Sequence, residues 1–77
     1  MATLLVKQNV EYIARWYDGQ VKISVAGAAE TNAFALATES GLQLGVYADG
    51  RLVITYQDSD GDVQRQYSSD NGTTWSA

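Results

Sequence analysis

Hydrophobic and polar residues alternate most clearly on both sides of the turn dipeptide Asp49-Gly50. Apolar residues occupy every second position of 42–46 before the turn and of 52–56 after it. Asp-Gly tolerates the positive φ angles of a tight hairpin turn, and a period of two is typical of a strand with one buried face. Residues 42–57 therefore predict a β-hairpin, and a further turn at Asp60-Gly61 extends it into a three-stranded meander.

The same alternation, bounded by turn residues, predicts seven strands. They lie at about residues 3–8, 10–17, 20–26, 32–38, 42–48, 51–57 and 62–68. Two segments have a second interpretation, because residues 10–17 also fit helical spacing and residues 31–40 could form a short helix that is capped by Thr31 and stopped at Gly41. We favour strands for both. With no proline and no flexible linker, residues 1–77 are expected to form a single all-β domain.

A short internal repeat is visible when residues 18–25 are set on residues 49–56. The offset of 31 places Val21 on Leu52 and Ile23 on Ile54. Repeated units determine whole architectures, so the offset is a hypothesis about how the strands are arranged.

Composition limits how so short a chain is stabilised. A chain of 77 residues buries only part of its surface, and this one contains neither cysteine nor histidine, which removes disulfides and the usual zinc sites. Oligomerisation, a calcium-type oxygen site or good packing has to take their place. The net charge of -4 and the five scattered lysines and arginines predict no nucleic-acid partner, because that surface needs clustered positive charge.

The N-terminal apolar run at residues 3–6 is too short for a signal peptide or a membrane span and lacks a leading positive charge. No membrane partner and no targeting segment are therefore expected. The compartment stays open, with a virion or a cell surface as candidates, since a chain without cysteine suits reducing and oxidising surroundings equally.

The stretch SSDNGTTW near the C-terminus fits the pattern Ser-x-Asp-x-Gly-x-Thr-Trp. Its defining positions are Ser68, Asp70, Gly72, Thr74 and Trp75. Asp70 can accept hydrogen bonds from the backbone N–H groups one and two residues on, and Gly72 supplies a backbone angle closed to other residues. The hydroxyls of Ser68 and Thr74 can satisfy free backbone groups while Trp75 covers the turn. These residues predict a rigid, structural loop between two strands.

This pattern resembles the Asp-box, the repeat of sialidases and other BNR-type β-propellers. The resemblance covers eight residues and implies that they join the third and fourth strands of a blade, in a structural role. It also implies an antiparallel meander of propeller-like blades, just under two in this chain, because only residues 75–77 remain to begin a fourth strand. That strand would come from the chain's own residues 4–8 or from a neighbouring copy.

The number of blades bears on assembly. Three copies of just under two blades would give about six, which is typical of sialidase-like propellers. The resemblance therefore implies a ring-like homo-oligomer, with a homotrimer favoured, that is closed by head-to-tail contacts.

No catalytic residue is predicted. The chain has three arginines, but nothing around Arg15, Arg51 or Arg65 resembles the catalytic segments of sialidases. A serine or threonine nucleophile would lack a histidine base. We therefore expect that the protein is not an enzyme.

Alternating carboxylates in DSDGD raise the question of a calcium site. Asp58, Asp60 and Asp62 could converge on a hard cation. The match to an EF-hand loop fails, because Val63 stands where its glycine is expected and Ser69 where its last glutamate is expected. We expect no cofactor and interpret the three acids as a solvated hairpin tip, with calcium as the alternative.

Aromatic residues beside the turns suggest a ligand class. Trp16, Tyr17, Tyr47 and Arg51 are candidate carbohydrate-binding residues, since exposed rings stack on sugars while polar neighbours bond the hydroxyls. The alternative is that these rings belong to the core or to contacts between subunits.

Taken as a whole, the sequence favours a non-enzymatic structural or adhesion module of BNR type, a component of a phage tail or surface protein with glycan as its ligand class. A purely architectural, self-assembling protein without a ligand is the alternative. A third hypothesis is a glycosidase remnant derived from a sialidase, and no catalytic segment supports it.

Overall fold

The computed structural model describes residues 2–37 and 41–77, which form seven β-strands. The strands are β1 (Ala2–Lys7), β2 (Val10–Tyr17), β3 (Gln20–Val25), β4 (Thr31–Ala35), β5 (Gln43–Val46), β6 (Leu52–Gln57) and β7 (Val63–Ser68). The all-β prediction is confirmed, and the helical alternatives for residues 10–17 and 31–35 are wrong. Residues 38–40, which the second helix would have included, lie outside the described residues. Within the described segments, no helix is long and apolar enough to cross a membrane.

The strands form two antiparallel sheets in which each strand pairs with its neighbours in sequence. The four-stranded sheet has the order β1-β2-β3-β4, and the three-stranded sheet has the order β5-β6-β7. Tight turns explain the short connections: Asp18 and Gly19 adopt φ angles of 52° and 81°, and Gln8 and Asn9 adopt 49° and 65°. Positive φ at both central residues is what a two-residue hairpin turn requires. The turn at Gln8 has no glycine, so the sequence does not mark it as clearly as the others.

One hydrophobic core lies between the two sheets. The buried cluster consists of Tyr12, Ala14, Val21, Ile23, Leu42, Leu44, Leu52 and Ile54. Both pairs related by the offset of 31 residues belong to it, and each of these four side chains is at most 1% exposed. They lie on β3 and β6, which are each flanked by a strand on both sides. The sequence repeat thus coincides with two central strands that build the core.

Strand β1 connects the two sheets through the side chains on its inner face. The hydroxyl of Thr3 accepts a hydrogen bond from the backbone N–H of Leu44 on β5 (3.3 Å), and Lys7 Nζ donates to the carbonyl of Gly50 (2.6 Å). Between them, Leu5 packs against the core. Thr3 contacts Leu44 and Lys7 contacts Gly50, so the contacts advance along both segments in the same order. β1 and the chain from β5 to Gly50 therefore run side by side in the same direction.

The N-terminal strand does not supply a fourth strand to the three-stranded sheet. All six residues of β1 pair with β2, from Ala2 opposite Arg15 to Lys7 opposite Val10. The hypothesis that residues 4–8 of the same chain complete the second blade is therefore wrong. The reason is the two-residue turn after Lys7, which folds β1 directly onto β2.

Residues that point away from the core form an outer face on each sheet, because successive residues of a strand face opposite sides. Leu4, Val6 and Tyr17 lie on the outer face of the four-stranded sheet, and Tyr47 and Val63 lie on that of the three-stranded sheet. These are five of the six large hydrophobic side chains that the described residues expose, and each is 39–59% exposed. The two-sheet stack therefore presents apolar side chains on both of its outer sides.

Candidate functional sites

The turn that follows β7 is held by hydrogen bonds centred on Asp70. Ser68 Oγ donates to Asp70 Oδ1 (2.8 Å) and accepts from the backbone N–H of Gly72 (2.8 Å). Thr74 donates twice to the same carboxylate, from its backbone N–H to Oδ1 (2.9 Å) and from its hydroxyl to Oδ2 (2.6 Å). Asp70 therefore connects the two ends of the turn.

This bonding differs from the expected pattern in two respects. Asp70 accepts from the backbone N–H of Thr74, four residues on, rather than from the N–H groups that follow it directly. The Thr74 hydroxyl bonds the carboxylate, so only Ser68 satisfies a backbone group as expected. The cause is the backbone: left-handed φ angles at Asn71 (59°) and Gly72 (97°) fold the chain back and bring Thr74 to the carboxylate.

Trp75 covers the turn, as its place in the motif predicts. Its indole N–H donates to the carbonyl of Gly72 (3.1 Å), and its ring centroid lies 6.3 Å from that of Phe34 on β4. Phe34 also lies 5.5 Å from the ring centroid of Tyr56 on β6. Gly72 is close to the core as well, because a Cβ at this position would lie 3.6 Å from Ile23. The turn is therefore packed against both sheets.

Three hydrogen bonds to its carboxylate lower the pKa of Asp70 to about 2, from an ordinary value of 3.8. The bond from the Thr74 hydroxyl contributes most, followed by those from the Thr74 N–H and the Ser68 hydroxyl. All three donors favour the ionised form over the protonated one. The turn is consequently strongest while Asp70 is charged.

The chain leaves the turn in the position of a further strand. Tyr67 donates its N–H to the carbonyl of Ser76 (2.7 Å) and accepts from the N–H of Ser76 (2.9 Å), which makes one antiparallel pair. Backbone groups alternate in direction along a strand, so those of Val63 and Arg65 point to the same side as those of Tyr67. Ser76 therefore forms a single antiparallel bridge to β7 on the side of β7 that faces away from β6.

Two candidate carbohydrate-binding residues, Trp16 and Tyr17, lie on opposite faces of β2. Trp16 packs against the core and donates its indole N–H to the carbonyl of Leu36 (2.7 Å). Tyr17 is 58% exposed, and the guanidinium carbon of Arg15 lies 5.2 Å from its ring centroid. Arg15 is held there by two hydrogen bonds to the carboxylate of Glu30. We call Tyr17, Arg15 and Glu30 the Tyr17 cluster.

The charges of the Tyr17 cluster stabilise each other. The hydrogen bond from Arg15 lowers the pKa of the Glu30 carboxyl, and the same bond raises the pKa of Arg15. Both groups are therefore ionised at neutral pH. Glu30 lies in the loop before β4, fifteen residues from Arg15, and no local pattern in the sequence links the two.

The other two candidates, Tyr47 and Arg51, lie together on the outer face of the three-stranded sheet. Tyr67, which is not among the predicted binding residues, stacks on Tyr47 with 5.6 Å between ring centroids. The guanidinium carbon of Arg51 lies 5.2 and 5.0 Å from these two centroids, and Arg51 Nε donates to Asp49 (2.8 Å). Since each ring covers one face of the other, the stacked pair offers less ring surface to a sugar than two separate rings would.

The acids of the β6–β7 hairpin have carboxylate oxygens within 4.8 Å of one another. Asp58, however, already closes the hairpin: its Oδ1 accepts from the N–H groups of Asp60 (2.9 Å) and Asp62 (3.0 Å), and its Oδ2 accepts from the Gln64 side chain (3.0 Å). These bonds, the one from Gln64 foremost, lower the pKa of Asp58. The arrangement is that of a carboxylate that caps a turn, with Asp60 and Asp62 exposed to water.

A groove of about 260 Å³ lies between the loop after β3 and the turn after β7. Ile23 and Val25 contribute aliphatic surface, and Thr31 and Thr73 contribute hydroxyls. Among the described residues that line it, none is charged or aromatic. The groove therefore offers few side-chain groups that could bind a ligand specifically.

The three arginines do not converge on one point. Arg15 lies on the outer face of the four-stranded sheet, whereas Arg51 and Arg65 belong to the three-stranded sheet. Arg15 and Arg51 are each paired with an acid. The described residues therefore do not assemble the arginine grip that holds a substrate carboxylate in sialidases.

The chain matches no protein-family model, no curated protein and no solved structure. The likeness to the Asp-box thus depends on the sequence of residues 68–75 alone. The fold itself is defined by two antiparallel sheets, of four and three strands.

Proposed function

We propose that this chain is a non-enzymatic structural module that associates with copies of itself, within a larger adhesive or surface assembly such as a phage tail. The observation that carries the proposal is the grouping of exposed apolar side chains on the two outer faces. Scattered apolar residues are normal on a monomer, but grouped ones are typical of interaction surfaces. A domain of 77 residues without a disulfide also gains stability from such contacts.

In this proposal the two sheets are successive blades of a propeller. The four-stranded meander is followed by a three-stranded one, β1 and β5 run side by side as inner strands, and Ser76 begins a fourth strand on β7. Each blade of a propeller is a four-stranded sheet, so three copies would supply about six blades. Identical head-to-tail contacts close such a ring.

Light scattering after size-exclusion chromatography tests the self-association. At roughly 10–100 μM protein, we expect a mass near three times the 8.4 kDa of one chain. A single species of one chain's mass over that range would refute the proposal. A mass that grows steadily with concentration would show an open filament in place of a ring.

Glycan recognition is a second candidate function, and the Tyr17 cluster favours it. The Tyr17 ring is 58% exposed, and a guanidinium and a carboxylate lie beside it. Such a set can stack on a sugar ring and bond its hydroxyls. On a glycan array we expect a signal that is lost in Tyr17→Ala and retained in the matched control Tyr17→Phe. If the intact oligomer gives no signal on the array, the glycan-binding function is removed and the purely architectural function is left.

A fluorogenic sialoside separates both functions from that of a glycosidase remnant. We expect no turnover, because Arg15 lies on a different sheet from Arg51 and Arg65. Hydrolysis above the uncatalysed rate would contradict the non-enzymatic proposal.

A further inference from the structure

We infer that copies of this chain dock face to face, with the part of the outer face around Leu4 and Val6 of one copy against the part around Gly45 and Tyr47 of the next copy's three-stranded sheet. This contact presupposes the self-association proposed above and defines the surface that mediates it. A second copy is the partner because the two faces complement each other in alignment, shape and charge.

The contact inside one chain sets the alignment. The inner faces of the two sheets meet with β1 beside β5, and both strands run in the same direction. A ring built from equally spaced sheets repeats this relation between copies. The outer residues of β1 then face the outer residues of the next copy's β5 and its following turn, so that Leu4 lies opposite Gly45 and Val6 opposite Tyr47.

The shapes of the two faces fit this alignment. Leu4 projects from its sheet with 57% of its surface exposed, next to Ile13 in the β1–β2 register. On the other face, Gly45 has no side chain, and a Cβ there would lie only 3.5 Å from Val53. The face is therefore recessed at Gly45, between Val53 and Tyr47, and a leucine side chain fills such a hollow with apolar contacts on each side.

The charges of the two faces are complementary as well. Glu11 stands beside Val6 in the β1–β2 register, and in the described part of the chain its carboxylate has no ion-pair partner. The alignment places it near Arg51 of the next copy. Arg51 bonds Asp49 through Nε, which leaves the terminal nitrogens of its guanidinium for another carboxylate. A carboxylate opposite a guanidinium fixes the orientation in which two surfaces meet.

Matched variants test the surface. Leu4→Glu and Val46→Glu each replace an aliphatic side chain that is exposed, to 57% and 42% respectively. Leu4 lies in the inferred contact, whereas Val46 pairs with Leu52 and faces the opposite side of the three-stranded sheet from Tyr47. We expect Leu4→Glu to keep the circular dichroism of the native fold while its half-assembly concentration rises at least tenfold, a loss of more than about 1.4 kcal/mol. Val46→Glu, with the circular dichroism of the native fold, should assemble like the wild type.

Charge reversal provides a second test that does not depend on the apolar contact. Glu11→Arg and Arg51→Glu should each raise the half-assembly concentration, and the double variant should recover most of the loss because it restores an opposite pair. Failure of the double variant to recover, with its fold intact, would remove Glu11 and Arg51 from the contact and overturn the alignment.

Cross-linking gives the position directly, because the native chain has no cysteine. Leu4 and Gly45 belong to faces that point away from each other within one chain, so a disulfide between cysteines at these positions links separate copies. On oxidation, Leu4→Cys combined with Gly45→Cys should run as a covalent oligomer on a non-reducing gel, while each single variant should form dimers at most. A double variant that oligomerises in solution but runs as a single chain on the gel would overturn the contact.

Failure of this contact is distinct from failure of self-association. A wild-type protein that is monomeric at every concentration removes self-association and the contact with it. A wild-type oligomer that withstands Leu4→Glu but is disrupted by Val46→Glu, with the fold intact, keeps self-association and overturns the face-to-face contact, because Val46 does not lie on an outer face.

Discussion

At the scale of single residues, Asp70 and Gly72 determine the turn that the C-terminal motif predicts. Gly72 permits a φ of 97°, and the fold-back that results lets Asp70 bond Thr74 four residues on. The residue types follow from the motif, whereas the choice of hydrogen-bond partner follows from the backbone angles. The motif therefore predicts which residues form the turn more reliably than it predicts which hydrogen bonds they make.

Acid should destabilise the protein through Asp70. Its pKa is about 2 in the folded state against an ordinary value of 3.8, so its contribution to stability is present above about pH 4 and is lost as the pH falls towards 2. We expect the urea midpoint to drop over that window, and to drop less in Asp70→Asn, which keeps an oxygen acceptor but does not titrate. Equal drops in both proteins would assign the acid sensitivity to other carboxyls, such as Asp58.

A side chain at position 72 should be costly. Gly72→Ala forces a left-handed backbone angle on an alanine, for which we expect a loss of about 1–3 kcal/mol in the free energy of unfolding. Gly45→Ala is the control, because Gly45 has an ordinary φ and its added Cβ meets Val53 at an ordinary contact distance of 3.5 Å. Urea unfolding of dilute protein measures the free energy of unfolding of both variants. Equal values for Gly72→Ala and Gly45→Ala would show that the turn tolerates the strain.

At the scale of strands, β1 has the role that the sequence left most open. Its pairing with β2 follows from the turn at Gln8 and Asn9, whose positive φ angles occur without a glycine. Once β1 is paired, alternate side chains point to the neighbouring sheet, where Thr3 and Lys7 form hydrogen bonds. The strand therefore joins two sheets of its own chain and leaves Leu4 and Val6 outside.

The hydrogen bond from Lys7 should measure how much this connection contributes. Lys7→Met removes the charged donor to the Gly50 carbonyl but keeps the aliphatic stem, so we expect a loss of about 1–2 kcal/mol in the free energy of unfolding. Lys22→Met serves as the control, because Lys22 bonds Asn32 at an exposed position within one sheet. If both variants lost the same free energy of unfolding, the hydrogen bond between the sheets would contribute no more to stability than the exposed one within a sheet.

At the scale of the whole molecule, a single core stabilises both sheets. Ile54 of the three-stranded sheet and Ile23 of the four-stranded sheet belong to one buried cluster. Ile54→Val should lower the free energy of unfolding by about 0.5–1.5 kcal/mol, and Ile54→Ala by about 2–5 kcal/mol. In hydrogen exchange, amides of both sheets should lose protection together. Protection lost in only one sheet would show that the sheets unfold separately.

Assembly should be visible in the melting temperature. If folded copies associate, the melting temperature of the wild type rises by a few degrees between about 1 and 100 μM protein, since association stabilises only the folded state. Leu4→Glu should melt at one temperature over the same range. A wild-type melting temperature independent of concentration would contradict self-association.

The sequence by itself determined the turns at Asp-Gly and Asn-Gly and the alternating strands beside them, because side-chain alternation and the φ preferences of these dipeptides are local properties. It also determined the participants of the turn at Asp70. Only the tertiary structure decided that Trp16 faces the core while Tyr17 faces solvent, and that Tyr67 stacks on Tyr47. These outcomes depend on strand register and on how two sheets pack, and both bring together residues that are far apart in the chain.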